Sequence, residues 1–191
     1  MNEAVRAELG HLPFIAEDLG IITPDVVALG DRFELPGIRV FQFGFDGNPG
    51  NPHLPHNCVP NTVAYTGTHD NTTTRGWFES LPAQVRQAAR NYVGKAGVPT
   101  AEVAWDVVRS VWSSPCGLAI APLQDLLNLG VEGRMNVPGV ATGNWRWRCT
   151  EEMLKTSIFE RLHELTTSAG RAAAPKAENQ TQQAFAINET A

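Results

Sequence analysis

The chain has 191 residues, 42% of them apolar and 18% charged, with a formal net charge of −5. That is enough for one domain with a real core, and it excludes a disordered or fibrous chain. The acidic balance argues against a nucleic-acid or anionic-membrane partner, and no run of 18 apolar residues offers a spanning helix.

The first residues, MNEAVRAELG, lack the basic and apolar regions of a signal peptide, so a cytoplasmic location is expected. Cys58, Cys116 and Cys149 are odd in number, far apart and without C-x-x-C spacing, which reads as free thiols in a reducing compartment. The N-x-[ST] matches at Asn71, Asn179 and Asn188 read as chance without a secretory signal.

In chain order, PFIAED (13–18) is the first apolar stretch with the look of a buried strand. ITPDVVALGDRF follows as a helix, with Thr23 as N-cap and Pro24 at the first helical position. GIRVFQFGFD (37–46) and NTVAYTGTHD (61–70) are the next strands. Two helices then span roughly 82–93 and 101–113, the second capped by Thr100 with Val103, Val107 and Val111 on one face. CGLAIAPLQD (116–125) is the fourth strand, and LQDLLNLG makes a short helix stopped by Gly130. A last helix runs through TEEMLKTSIFERLHELTTSAG, capped by Thr150, with Leu154, Ile158, Leu162 and Leu165 as its apolar stripe. The strands are continuously apolar rather than alternating, as strands covered on both faces are. Alternation of strand and helix predicts an α/β fold with a parallel sheet. The domain is expected to occupy 1–170, and the segment 171–191, poor in large apolar residues, reads as a disordered tail.

In α/β proteins functional groups collect beyond the carboxyl ends of the strands. Here those ends carry Glu17 and Asp18, Asp46, His69 with Asp70 and Asn71, and Gln124 with Asp125. Several carboxylates, one His and few cations suit a neutral polyol such as a sugar. They do not suit a phosphate, and neither GxGxxG nor GxxxxGK[ST] occurs, so no cofactor is expected. The loop RMNVPGVATGNWRWR adds Trp145 and Trp147 as flat faces and Asn136 and Asn144 as paired donors and acceptors. Taken singly, each Trp is more often a packing residue than a ligand contact. A Glu-Asp pair at a strand end is likewise more often a capping or solvated pair than a catalytic one. His53 and His56 in HLPH have poor spacing for a metal, and none is expected. Co-location shifts the balance for the acids, because two independent strands deliver them to the same rim. Glycoside chemistry gives such acids distinct roles, one protonated to help the leaving oxygen and another ionised.

Several long stretches then match a known family. IAEDLGIITPDV, LPGIRVFQFGFD, NPHLPHN, VAYTGTHDNTTTRGW and EGRMNVPGVATGNWRWR come in the order and spacing of the 4-alpha-glucanotransferases called amylomaltase or disproportionating enzyme. The chain resembles the C-terminal part of that family over about residues 10–170. The resemblance implies a (β/α)8 TIM barrel, of which this chain would supply the last four strands with their helices. It implies retaining double displacement on maltooligosaccharides or other alpha-1,4-glucans. Carried over, Glu17 is the general acid/base and Asp70 the transition-state stabiliser. His69 hydrogen-bonds the sugar, and Asp18, Asp46 and Asn136 fall at sugar contacts.

The sequence also departs from the family. The family nucleophile is an Asp in an Arg-x-Asp-His context on the fourth strand, and no such motif occurs here. A complete barrel needs about 250 residues, more than this chain offers. The expectation is a fragment that lacks its nucleophile and is inactive alone, with an N-terminal half-barrel as its missing partner. The alternative is a non-catalytic glucan-binding remnant. An alpha-amylase-type hydrolase shares THDN loosely but not AEDLG or GNWRWR.

Overall fold

The computed structural model describes residues 2–10, 12–20, 22–94 and 102–173. Its centre is a three-stranded, all-parallel sheet in the order β1-β2-β3. The strands are β1 (Gly37–Val40), β2 (Thr62–Tyr65) and β3 (Leu118–Ile120). Parallel neighbours require crossovers; the one from β2 to β3 carries three α-helices, and the one from β1 to β2 runs through short 3-10 turns. In chain order the helices are α1 (Asn2–Leu9), α2 (Pro24–Phe33), α3 (Thr74–Ser80), α4 (Ala83–Tyr92), α5 (Val103–Trp112), α6 (Leu123–Leu126) and α7 (Thr156–Ser168).

The core lies under α5. Its Val107, Val108 and Val111 are fully buried, and it packs against α3, α6 and α7. Phe41, Trp77, Phe78, Trp105 and Trp112 complete the same cluster. Ile158, Leu162 and Leu165 of α7 pack onto it, while Leu154 does not and stays 43% exposed. Leu154 has ψ of 63°, outside the helical range, so Glu151–Met153 forms a separate 3-10 turn behind Thr150 and α7 starts at Thr156.

The strands are shorter than the apolar runs suggested. After Val40 the chain bends into a 3-10 turn, Phe41–Phe43, which drives Phe41 into the core. Apolar content alone does not separate such a turn from more strand. PFIAED forms no named strand. It meets the sheet at one parallel bridge, Ala16 with Gly37, where the Ala16 amide donates to the Pro36 carbonyl at 2.8 Å. Phe14 and Ile15 beside it are 43% and 46% exposed, unlike the buried residues of a strand covered on both faces.

Side chains finish that edge of β1. The Ile38 amide donates to Asp18 Oδ1 at 2.6 Å, and the Val40 amide donates to His53 Nδ1 at 3.0 Å. Arg39 Nη1 donates both to Asp18 Oδ2 (2.7 Å) and to the Ile38 carbonyl (2.6 Å). Alternate residues of a strand point their backbone groups to the same side, so this edge is satisfied by side chains in place of a neighbouring strand. Gly37 makes room for the arrangement, because a Cβ there would overlap the Asp18 carboxylate.

Thr23 and Pro24 open α2 at the expected positions, but the Thr23 side chain makes no cap bond; its carbonyl accepts from the Val26 and Val27 amides. The expected cap Thr100 and the sequons at Asn179 and Asn188 lie outside the described residues, as does the tail from 174 onward. Arg171, read as the first tail residue, is instead anchored. It donates to the carbonyls of Trp112 (2.6 Å), Ser114 (2.6 Å) and Cys116 (2.9 Å), satisfying groups at and beyond the end of α5. Among the described residues no helix is long and apolar enough to cross a membrane.

Candidate active site

The carboxyl ends of the strands open onto one cavity of about 820 Å³. Glu17, Leu19 and Gly20 reach it from beyond the Ala16 bridge, and Phe43 from beyond β1. Tyr65 and Gly67 to Asn71 come from the end of β2, and Ile120 and Pro122 from the end of β3. Arg134 and Pro138 close it from the loop after α6.

Of the residues singled out in the sequence, Glu17, His69, Asp70 and Asn71 line this cavity together. Asn136 joins them by contact, since its Nδ2 donates to Asp70 Oδ1 at 2.6 Å and its amide donates to the His69 carbonyl at 3.1 Å. His69 Nε2 stands 3.3 Å from the same Asp70 oxygen. Asp18 and Asp46 do not line it. Asp18 is taken up by Ile38 and Arg39 at the sheet edge. Asp46 caps its own turn, accepting the Asn48 amide at 2.9 Å, and that bond holds its carboxyl below the usual range.

The His69–Asp70 pair sits on a rigid base. Thr66, one turn upstream, donates to the buried Asp125 carboxylate, which also accepts the amide of Thr74 (2.7 Å) and its hydroxyl (2.6 Å). Asp125 therefore ties the exit of β2 to the start of α3. Burial pushes its pKa up, and the three donors pull it back. Asn71 folds over Thr68, accepting its amide at 2.9 Å. Gln124, the other acid-rim candidate, donates to the Gly133 carbonyl at 3.2 Å and is likewise structural.

The loop 134–145 clamps the pair from the far side. Arg134 donates to the Asp70 carbonyl (2.9 Å) and to the Asn136 carbonyl (2.8 Å). Trp145 lays its ring beside His69, with centroids 5.2 Å apart and planes at 34°. It does so with φ of 61°, a region that costs a bulky residue about 1–3 kcal/mol. Its amide donates to the Met135 carbonyl at 2.7 Å, which fixes the strained turn. Asn144 bonds to Val137 and Val140 within the loop and holds its shape.

Sequence reasoning overlooked Tyr65 and Arg134. Burial, with the nearby Glu17 charge, raises the Tyr65 pKa, so its hydroxyl stays protonated beside that carboxylate. Its position one residue before TGTHD was the available signal. The HLPH histidines have other partners: His53 accepts from Val40, and His56 pairs with the Tyr92 hydroxyl at 2.8 Å. Among the described residues no group of three His, Cys, Asp or Glu is placed to hold a metal.

Carboxylates, an imidazole and a phenol thus gather on one cavity at the carboxyl rim of a parallel sheet, where α/β proteins place their binding sites. The profile of the 4-alpha-glucanotransferase family matches residues 1–155, and the chain belongs to that family. It is 46% identical over 171 residues to the 4-alpha-glucanotransferase of Synechocystis, covering 88% of this chain and 34% of that one. It is 41% identical over 174 residues to the Thermus thermophilus 4-alpha-glucanotransferase, covering 88% and 35%. The fold superposes on amylomaltase from Streptococcus agalactiae in complex with acarbose with a TM-score of 0.82 and 36% identity, over 90% of this chain and 34% of that one. The chain thus spans about a third of the length of the relatives it matches.

Proposed function

We propose that this chain carries part of the machinery of a 4-alpha-glucanotransferase, and that its cavity binds alpha-1,4-glucans. One observation carries the reading: Glu17 and the His69–Asp70 pair, 52 residues apart in sequence, meet on one cavity at the carboxyl end of a parallel sheet. The sheet and the 12–20 segment are then the last four strands of a (β/α)8 barrel, residues 1–170 its C-terminal half. The Streptococcus agalactiae amylomaltase on which the chain superposes is in complex with acarbose, which supports a carbohydrate in the site.

In this reading Glu17 protonates the departing glycosidic oxygen and later takes a proton from the acceptor hydroxyl. Asp70, held by Asn136, faces the positive charge that develops at the anomeric carbon. No Arg-x-Asp-His motif occurs in this sequence, so the nucleophile that forms the glucosyl intermediate belongs to another part of the barrel. Loss of a nucleophile costs on the order of a millionfold in kcat elsewhere. The unpaired Cys58, Cys116 and Cys149 fit a reducing, cytoplasmic compartment.

Two measurements test this. Purified chain incubated with maltotriose is expected to release no glucose at ordinary enzyme rates; release with longer products would sink the missing-nucleophile reading. Maltotriose titrated into isotope-labelled chain is expected to move the amide resonances of residues 65–71 in the wild type and not in D70N. Silence in the wild type would sink the glucan reading.

A further inference from the structure

A second cavity, of about 480 Å³, lies between the turn that follows β1 and helix α4, and it shares no lining residue with the first. Asp46, which the family resemblance put at a sugar contact, stands here and not at the Glu17–Asp70 cavity. We propose that this cavity is a second binding site for an alpha-glucan chain, separate from the reacting site. The proposal rests on the glucan reading of the family site and adds a place for a remote part of the substrate.

The cavity has the parts a sugar requires. Phe45 and Tyr92 form two aromatic walls at right angles, with centroids 5.7 Å apart and planes at 89°. Pyranose rings present a flat C–H face, which such walls cover. Tyr92 is preset, because its hydroxyl accepts the His56 amide at 3.2 Å and pairs with the His56 ring. The buried Leu54 makes the floor, and Gly44 allows it to come close, since a Cβ there would stand 2.9 Å from Leu54 Cδ2.

The rim is polar. Asp46 takes up the Asn48 amide at Oδ1 and a bond from the Asn51 side chain, and its exposed carboxylate keeps further acceptor capacity for sugar hydroxyls. Gln84, exposed on α4, supplies an amide that both donates and accepts. Among the described residues no Lys or Arg lines the cavity, which disfavours a phosphate or other anion. Volume, apolar walls and few polar groups match the general form of a small-molecule site. The two cavities adjoin along the chain at Phe43 and Gly44 but face different elements.

The test is a titration of the full isotope-labelled chain with maltoheptaose, followed by amide resonances. Saturable shifts at residues 44–49 and 84–92 are expected in addition to those at 65–71. Ala88→Arg, on the exposed face of α4 that lines the cavity, should abolish the first set and leave the second. Asp46→Ala should weaken the first set about tenfold or more, as for a lost hydrogen bond to a charged group. Glu17→Gln should leave the first set in place. Shifts confined to 65–71, or a first set that survives Ala88→Arg, overturn the second site while leaving the family site standing. No response anywhere overturns both, and equal response to cellopentaose overturns the alpha-glucan assignment.

Discussion

The two sides of the Glu17–Asp70 cavity are held in different ways. The His69–Asp70 side grows out of β2, whose Thr62, Val63 and Ala64 are buried, and rests on Asp125 and the α5 core. The Glu17 side is a segment joined to the sheet by one bridge and the Asp18 carboxylate. Behind it, Val26, Val27 and Leu29 of α2 are 45% to 50% exposed. One wall is therefore built by burial, and the other by a few polar bonds at a strand edge. Polar bonds of that kind contribute about 0.5–3 kcal/mol each, far less than a shared apolar core. The wall that carries Asp70 should survive perturbations that release the wall that carries Glu17.

The largest effect is expected from breaking the rigid side. Asp125→Ala strands the Thr74 amide and two threonine hydroxyls in the interior. At about 1–3 kcal/mol for each unsatisfied buried donor, with hydroxyls partly able to turn elsewhere, the loss should reach about 3–5 kcal/mol. Urea unfolding followed by tryptophan fluorescence measures it. A loss under about 1 kcal/mol would show that the Asp125 network does not hold this wall.

Next comes the edge. Gly37→Ala forces a methyl into the space of the Asp18 carboxylate, and Asp18→Ala removes the acceptor of the Ile38 amide. Each should cost about 1–3 kcal/mol. The sharper readout is local. Amide exchange at Ile38 and in 14–18 should accelerate while Thr62–Tyr65 stays protected. Exchange that rises equally in both places would erase the distinction between the two walls.

How much of this was readable in advance depends on what kind of force sets each feature. Helix α4 (Ala83–Tyr92) and helix α5 (Val103–Trp112) follow from period and turn residues, which are local, and they lie within a residue or two of expectation. The length of β1 does not follow, because Phe41 is as apolar as a strand residue and only its tertiary neighbours turn it inward. Glu17, His69 and Asp70 were expected on one rim and line one cavity, because carboxyl ends of neighbouring strands share a rim whatever the loops do. Asp18 looks the same as Glu17 in one dimension. Only the nearness of the Ile38 amide and Arg39, twenty residues on, makes it an edge cap. Arg171 was misplaced into the tail because composition says nothing about three carbonyls waiting at the end of α5.

A smaller, pH-dependent effect tests the other cap of the same edge. His53 must keep Nδ1 unprotonated to accept the Val40 amide. Burial, and then the Arg39 charge, hold its pKa below the ordinary value against the pull of Asp18 and Asp46. The unfolded chain therefore binds more protons in the histidine range, and stability rises with pH there. The contribution is fully present above the unfolded value of about 6.5 and is lost as pH falls through the lowered folded value. Thermal melts across that range should show the slope, and His53→Gln, which keeps an acceptor, should flatten it. An unchanged slope in the variant would assign the effect to other groups.

The smallest effect is expected where apolar residues are most exposed. Ile15→Ser and Val27→Ser each remove an apolar side chain that is about half exposed, 46% and 50% respectively. Such sites sit close to the ±0.5 kcal/mol of ordinary surface positions. The same change at Val107 or Val111, buried under α3 and α6, would cost several times more. Urea midpoints for the four variants give the comparison directly. If Ile15→Ser or Val27→Ser costs 2 kcal/mol or more, and the loss grows with protein concentration, a second copy covers that face in solution. If the loss is large and independent of concentration, the Glu17 wall is packed more tightly than a single bridge allows. Near-neutral values leave it as a wall held by the Ala16 bridge and the bonds of Asp18 to Ile38 and Arg39.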